Sequence, residues 1–212
     1  SGLAIQSNDM AATGANALQL TGIFVQGVDG ATIKSNQIGN FIGSDDAVDR
    51  GIWLGNGVKN TAVINNTIAN LNYTGTNGYG GQGIFIATNI NGNDILVAGN
   101  MIANISGDGN DYTNGTVTQN NPSGILLAGT QSGIRIYHNS IYLGGATGFT
   151  NTLNKANALS ACIRIQGAGI AEIRNNIMVN QLGLSASLGL GAIGLMASTG
   201  SNQFASLDHN NY

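Results

Sequence analysis

Apolar and polar residues alternate over short stretches of this chain, and the stretches themselves recur. Ile52 and Leu54 point one way with Trp53 between them; past a polar turn, Thr61 and Val63 share that side, and Ile68 joins them beyond Asn66. A period of two over four to six residues predicts strands, not helices. The recurring figure reads apolar, any, any, Asn, any, apolar. Its copies are Ile5–Met10, Ile33–Ile38, Val63–Ile68, Val97–Ile102, Ile136–Ile141, Ile173–Met178 and Leu207–Tyr212. The anchors Asn8, Asn36, Asn66, Asn100, Asn139, Asn176 and Asn210 are separated by 28, 30, 34, 39, 37 and 34 residues. Repetition on this scale is the mark of a stacked repeat architecture.

A second figure lies between successive anchors: Gly22-Ile-Phe-Val, Gly51-Ile-Trp-Leu, Gly83-Ile-Phe-Ile, Gly124-Ile-Leu-Leu, Cys162-Ile-Arg-Ile and Gly194-Leu-Met-Ala. From each of these to the next anchor takes 14, 15, 17, 15, 14 and 16 residues, whereas from each anchor onward takes 14, 15, 17, 24, 23 and 18. One half of the repeat is fixed and the other carries the insertions, as expected of a rigid coil with one loop-bearing edge.

Three short strands per repeat, stacked at about 4.8 Å, predict an all-β chain: a parallel β-helix of about six coils over residues 1–212. In that register Ile23, Ile52, Ile84, Ile125 and Ile163 form one internal column, and Val25, Leu54, Ile86, Leu127 and Ile165 the next. The anchor asparagines fall at a sharp bend, where an Asn tolerates left-handed backbone and satisfies stranded polar groups. They are expected to stack as a structural ladder, with Asn40, Asn70, Asn104 and Asn180 forming a second, shorter one. Both ends of the chain fall in phase within an anchor figure, and neither resembles a capping repeat. The expectation is a segment of a longer solenoid, or a unit that stacks on a neighbouring subunit.

Composition narrows the function classes. Thirty Asn and 33 Gly suit tight turns, and charged residues make up only 8%. Seven Lys+Arg and a net charge of −3 leave no basic stripe for nucleic acid. No apolar run is long enough to insert in a membrane. Cys162, the single cysteine, stands where other repeats have Gly and reads as a small packed residue.

The run Ile136-Tyr-His-Asn-Ser-Ile-Tyr-Leu-Gly-Gly, with Ile173-Arg-Asn-Asn-Ile-Met-Val-Asn and Leu207-Asp-His-Asn-Asn-Tyr, resembles repeats of secreted, right-handed parallel β-helix proteins of Bacteroidota. The resemblance implies a right-handed coil and an extracellular, cell-surface address, often reached by type IX export. It implies little about activity, because the fold hosts lyases, hydrolases, adhesins and tailspikes alike.

Chemistry has few places to sit. The insertions are residues 39–50, 70–82, 104–123, 143–161 and 180–193; Tyr73, Tyr79, Tyr112 and Phe149 are expected to lie back over the coil, and so is the apolar run Gln181–Ala192. A polysaccharide lyase needs a base beside a carboxylate cluster that holds calcium, and a glycoside hydrolase needs converging carboxylates. Asp45, Asp46 and Asp49, beside Arg50, form the best acidic loop and a weak calcium candidate; Asp108 and Asp111 lie two rungs away. No carboxylate falls on the outer side of the Gly-Ile strand, so no catalytic residue is assigned. His138 and His209 fall about 10 Å apart with Asn175 between them, too far for a shared metal ion. Arg135 over Glu172 and Arg174 over Asp208 read as exposed cross-rung pairs.

The outer column of the Gly-Ile strand is the candidate binding surface. It reads Phe24, Trp53, Phe85, Leu126, Arg164 and Met196. Such a run must be covered by loops, dock another protein or subunit, or stack sugar rings. The expectation is therefore a non-enzymatic extracellular scaffold, adhesin or filament-forming surface protein. The alternative is a carbohydrate-active β-helix that binds or cleaves a polysaccharide on this face.

Overall fold

The computed structural model describes residues 2–110, 120–145, 148–155, 157–184, 191–198 and 200–212. Strands alternate among three parallel sheets, each met once per repeat, as the period-two pattern requires. Sheet 1 holds the Gly-Ile figures: Thr21–Val25, Arg50–Leu54, Gln82–Ile86, Ser123–Gly129, Leu159–Gly167 and Gly191–Ala197. Sheet 2 leads into the anchors: Ala4–Gln6, Thr32–Lys34, Thr61–Ile64, Ile95–Ala98, Ile134–Tyr137, Ala171–Arg174 and Phe204–Asp208. Sheet 3 follows them: Asp9–Met10, Gln37–Gly43, Thr67–Tyr73, Met101–Ser106, Ser140–Leu143 and Ile177–Asn180. The chain is a parallel β-helix.

The register puts like on like. Ile23 pairs with Ile52, Ile52 with Ile84, Ile84 with Ile125 and Ile125 with Ile163, and the column of Val25, Leu54, Ile86, Leu127 and Ile165 runs beside it. Both are buried within one core that extends through every coil. Each residue thus meets a similar neighbour above and below, which fixes register because a slip of one residue turns every core side chain outward.

The anchor ladder is continuous. Asn139 donates from its backbone N–H and from Nδ2 to Asn176 Oδ1, at 2.9 and 3.0 Å, and Nδ2 also reaches Val97 O at 3.0 Å. The same bonds recur from Asn8 to Asn36, Asn36 to Asn66, Asn66 to Asn100, Asn100 to Asn139 and Asn176 to Asn210. The left-handed backbone, however, belongs to the residue before each anchor. Ser7, Ser35, Asn65, Gly99, His138, Asn175 and His209 all have φ between 49° and 65°. The division has a physical reason: the αL residue makes the bend, and the anchor, free of that strain, turns its amide inward. His138 and His209 therefore serve as bend residues, a role His tolerates better than bulky apolar residues do.

The second ladder is shorter than its spacing implies. Asn70 donates to Asn40 Oδ1 and Asn104 to Asn70 Oδ1, both at 2.8 Å. The next strand pairs Tyr142 with Ala103 and Leu143 with Ile105, so no residue falls opposite Asn104, and Asn180 instead bonds Ser160 and Ile193 O. Residues 39–43, 70–73 and 104–106, expected at the start of the loops, continue the strands of sheet 3.

The described residues of the remaining inserts are buried in part. Tyr73 is buried and meets the half-buried Tyr79 edge-on at 5.4 Å, and Phe149 packs over Gly145. Leu182 is buried, whereas Leu184 is exposed in a short pair of strands, Thr152–Leu153 with Gly183–Leu184. Asp111, Tyr112 and residues 185–190 lie outside the described residues. The charged residues keep the expected register but not the expected bonds. Arg135 pairs with Asp94, Arg174 with Glu172 at 3.4 Å, and Asp208 with His209 at 2.8 Å. Long side chains reach the acceptor nearest their tips, which is not always the one directly opposite.

Candidate functional site on the outer face of sheet 1

Sheet 1 places Phe24, Trp53, Phe85, Leu126, Arg164 and Met196 in one column because each follows the inward Ile or Leu of its strand. Phe24 and Trp53 lie with ring centroids 4.5 Å apart, and Trp53 and Phe85 with centroids 5.8 Å apart. The column is not uniformly open. Phe24 is 50% exposed and Trp53 half-buried, but Phe85, Leu126 and Arg164, expected on a binding face, are shut off from solvent. Phe85 and Leu126, with Ala128, make a small outer core against which Trp53 packs. The part of the column open to a ligand is thus Phe24 and Trp53 at one end, with the half-buried Met196 at the other.

The spacing alone does not reveal that Arg50 joins this face. Its guanidinium lies 4.7 Å from the ring centroid of Trp53 and 4.7 Å from that of Phe85, and Nε donates to Gln82 Oε1 at 3.1 Å. The signal was present in Arg50-Gly51-Ile52-Trp53, but it needs the irregularity at Gly51. Gly51 faces the core beside Ile68 instead of alternating outward, and this brings residues 50 and 53 to one side. Burial among these rings pulls the Arg50 pKa down to about 10, so the group stays charged at neutral pH. Trp53 Nε1 is buried and has no acceptor among the described residues.

Asp46, Asp49 and Asp108 are held by protein donors, whereas Asp45 is exposed. Asp46 accepts from Tyr73 Oη at 3.0 Å and from Asn77 Nδ2 at 2.9 Å. Asp49 is 8% exposed and accepts the Leu20 N–H at 3.1 Å; burial pushes its carboxyl up to about 6. Leu20 itself stands at φ 69°, at the centre of a tight turn in which Thr21 N–H reaches Gln19 O at 2.9 Å. Asp49 thus pins a strained entry to sheet 1. Asp108, fully buried, accepts from Gly78 N–H and Tyr79 N–H at 3.1 and 3.0 Å, with Lys155 at 4.0 Å. It joins three inserts, and burial raises its pKa.

Asp46 and Asp49 therefore face different partners and do not converge on a common point. Among the described residues no group of three His, Cys, Asp or Glu side chains is placed to hold a metal ion. Cys162 lies in the core, and burial pushes its thiol up to about 12, so the thiolate that chemistry would need is suppressed. No helix among the described residues is long and apolar enough to cross a membrane. Compared with protein-family models, curated proteins and solved structures, the chain gives no significant match.

Proposed function

We propose that this chain is a non-enzymatic, extracellular β-helix that serves as a surface scaffold, adhesin or filament-forming element. The observation that carries this reading is how the acidic residues are used. Of the carboxylates considered for catalysis, Asp46, Asp49 and Asp108 are each held by hydrogen bonds that tie one coil or insert to another. A hydrolase would keep two carboxylates free and convergent, and a lyase would keep a calcium cradle beside a base. The surface address and type IX export rest on the resemblance to Bacteroidota repeats. A neighbouring subunit, a further solenoid segment or another surface protein is the partner this role calls for.

A second reading, carbohydrate binding, is favoured by the solvent-facing pair of Phe24 and Trp53. Aromatic rings on a rigid sheet offer apolar faces to the C–H faces of sugars. Incubation with calcium and uronate oligosaccharides separates the readings. Product absorbance that grows with time would overturn the non-enzymatic reading, whereas bound ligand without turnover would support an adhesin.

A further inference from the structure

We propose that Arg50 and Trp53 together bind an acidic saccharide, the guanidinium taking the oxyanion of one sugar unit while a sugar ring lies on the indole. The proposal rests on the carbohydrate-binding reading and names its ligand class.

Three observations lead to it. The first is unused bonding capacity. Arg135 and Arg174 end on Asp94 and Glu172, but Arg50 uses only Nε, on Gln82 Oε1. Among the described residues no acceptor takes its terminal nitrogens, and the side chain is only half-buried. A guanidinium presents a planar fork of donors that matches a carboxylate or sulfate edge.

The second is rigidity. Arg50 is held between Trp53 and Phe85, 4.7 Å from each ring centroid, and Gln82 fixes its orientation. A free arginine loses several rotors on binding, whereas one already clamped loses little, so more of the interaction appears as affinity. The flanking rings also desolvate the charge, which strengthens its bond to an incoming anion.

The third is the local charge. Asp49 adjoins Arg50 in sequence but turns to the Leu20 N–H, and Asp46 turns to Tyr73 and Asn77. The charge of Asp49 is felt at Arg50, but neither carboxylate bonds the guanidinium. The outer end of Arg50 is therefore a positive point beside the Phe24–Trp53 surface, on a chain whose net charge is −3. An uncharged sugar would use the rings and leave the fork idle; a uronate or sulfated sugar engages both.

Trp53 is the only tryptophan, so its fluorescence reports on this face alone. The experiment titrates the whole chain with oligogalacturonate, the same oligosaccharide fully methyl-esterified, a sulfated galactan oligosaccharide, and poly-glutamate. The expected result is that at least one acidic saccharide binds about tenfold tighter than the ester, the worth of one charge-assisted hydrogen-bonded pair. That margin should shrink with added salt. Arg50→Gln should abolish it, and Arg50→Lys should keep part of it. The tighter of the carboxylated and sulfated arms identifies the oxyanion. Equal binding of acid and ester, with the sulfated sugar no tighter, would overturn the role of Arg50 and leave carbohydrate binding standing. No response to any saccharide would overturn both. Poly-glutamate binding as tightly as the saccharides would show a carboxylate site without a sugar platform and overturn the ligand class. The comparison of acid with ester uses the unmodified protein, so it decides the matter even if the variants fold poorly.

Discussion

Gly83 and Ile102 meet across the interior so closely that a Cβ on Gly83 would lie 2.6 Å from Ile102 Cγ2. The contact repeats as Gly22 with Ile38, Gly51 with Ile68 and Gly124 with Ile141. In the fifth figure both positions change: Cys162 replaces Gly, and Met178 stands where the others have Ile. In the sixth, Gly194 faces Tyr212. The glycine of the Gly-Ile figure is therefore there for space at the corner between sheets 1 and 3, and a flexible Met accompanies the one coil that carries a side chain.

Gly83→Ala is accordingly expected to destabilise the chain by about 1–3 kcal/mol, the usual cost of overpacking a filled core. The backbone O of Gly124 also lies 2.6 Å from the added carbon, so relaxation of Ile102 alone is insufficient. A urea midpoint equal to that of the unmodified protein would refute the packing role.

Asn139→Ala should cost about 1–3 kcal/mol, because it strands the Asn100 N–H and Val97 O inside the coil. Asn8 makes the same rung bond but is exposed, so Asn8→Ala should cost clearly less. Equal losses at the two positions would mean that burial does not set the value of a rung.

Asp49 should impose a specific pH dependence. Its folded pKa, about 6, lies above the ordinary carboxylate value of 3.8. A raised folded pKa means that the folded state holds the proton more tightly. Its contribution to stability is therefore fully present below pH about 4 and lost as pH rises through about 6, a swing on the order of 3 kcal/mol. Asp49→Asn should flatten the melting temperature between those limits and raise stability at neutral pH. A mutant that retains the slope would assign it to another group.

Cys162 should not react with a chromogenic disulfide reagent at pH 8 while the chain is folded, and should react at once in denaturant. Labelling of the native protein at the rate of a free thiol would contradict its place in the core.

Trp53 should show partial quenching by iodide, since its ring is half-buried while Nε1 is sealed. Phe24→Ala, which removes the ring 4.5 Å away, should increase that quenching. An unchanged quenching constant would show that Phe24 does not shield the indole.

The chain's one-dimensional pattern determined its β-helix, because each coil stacks directly on the next and similar residues fall in register. Columns such as Ile52 on Ile84, and the ladder from Asn8 to Asn210, need only the repeat spacing to be seen. What the spacing could not supply was direction and reach. Only the folded backbone put the left-handed bend on Ser35 and His138 instead of on the anchors, since φ is settled by how the corner closes. Only it turned Arg50 onto the face of Trp53, through the irregularity at Gly51. The turning of Asp46 and Asp49 to different partners depends on segments that do not repeat. Periodicity is read from sequence because every coil imposes it; the candidate site lies where the coils differ, and there long-range contacts between unlike segments decide.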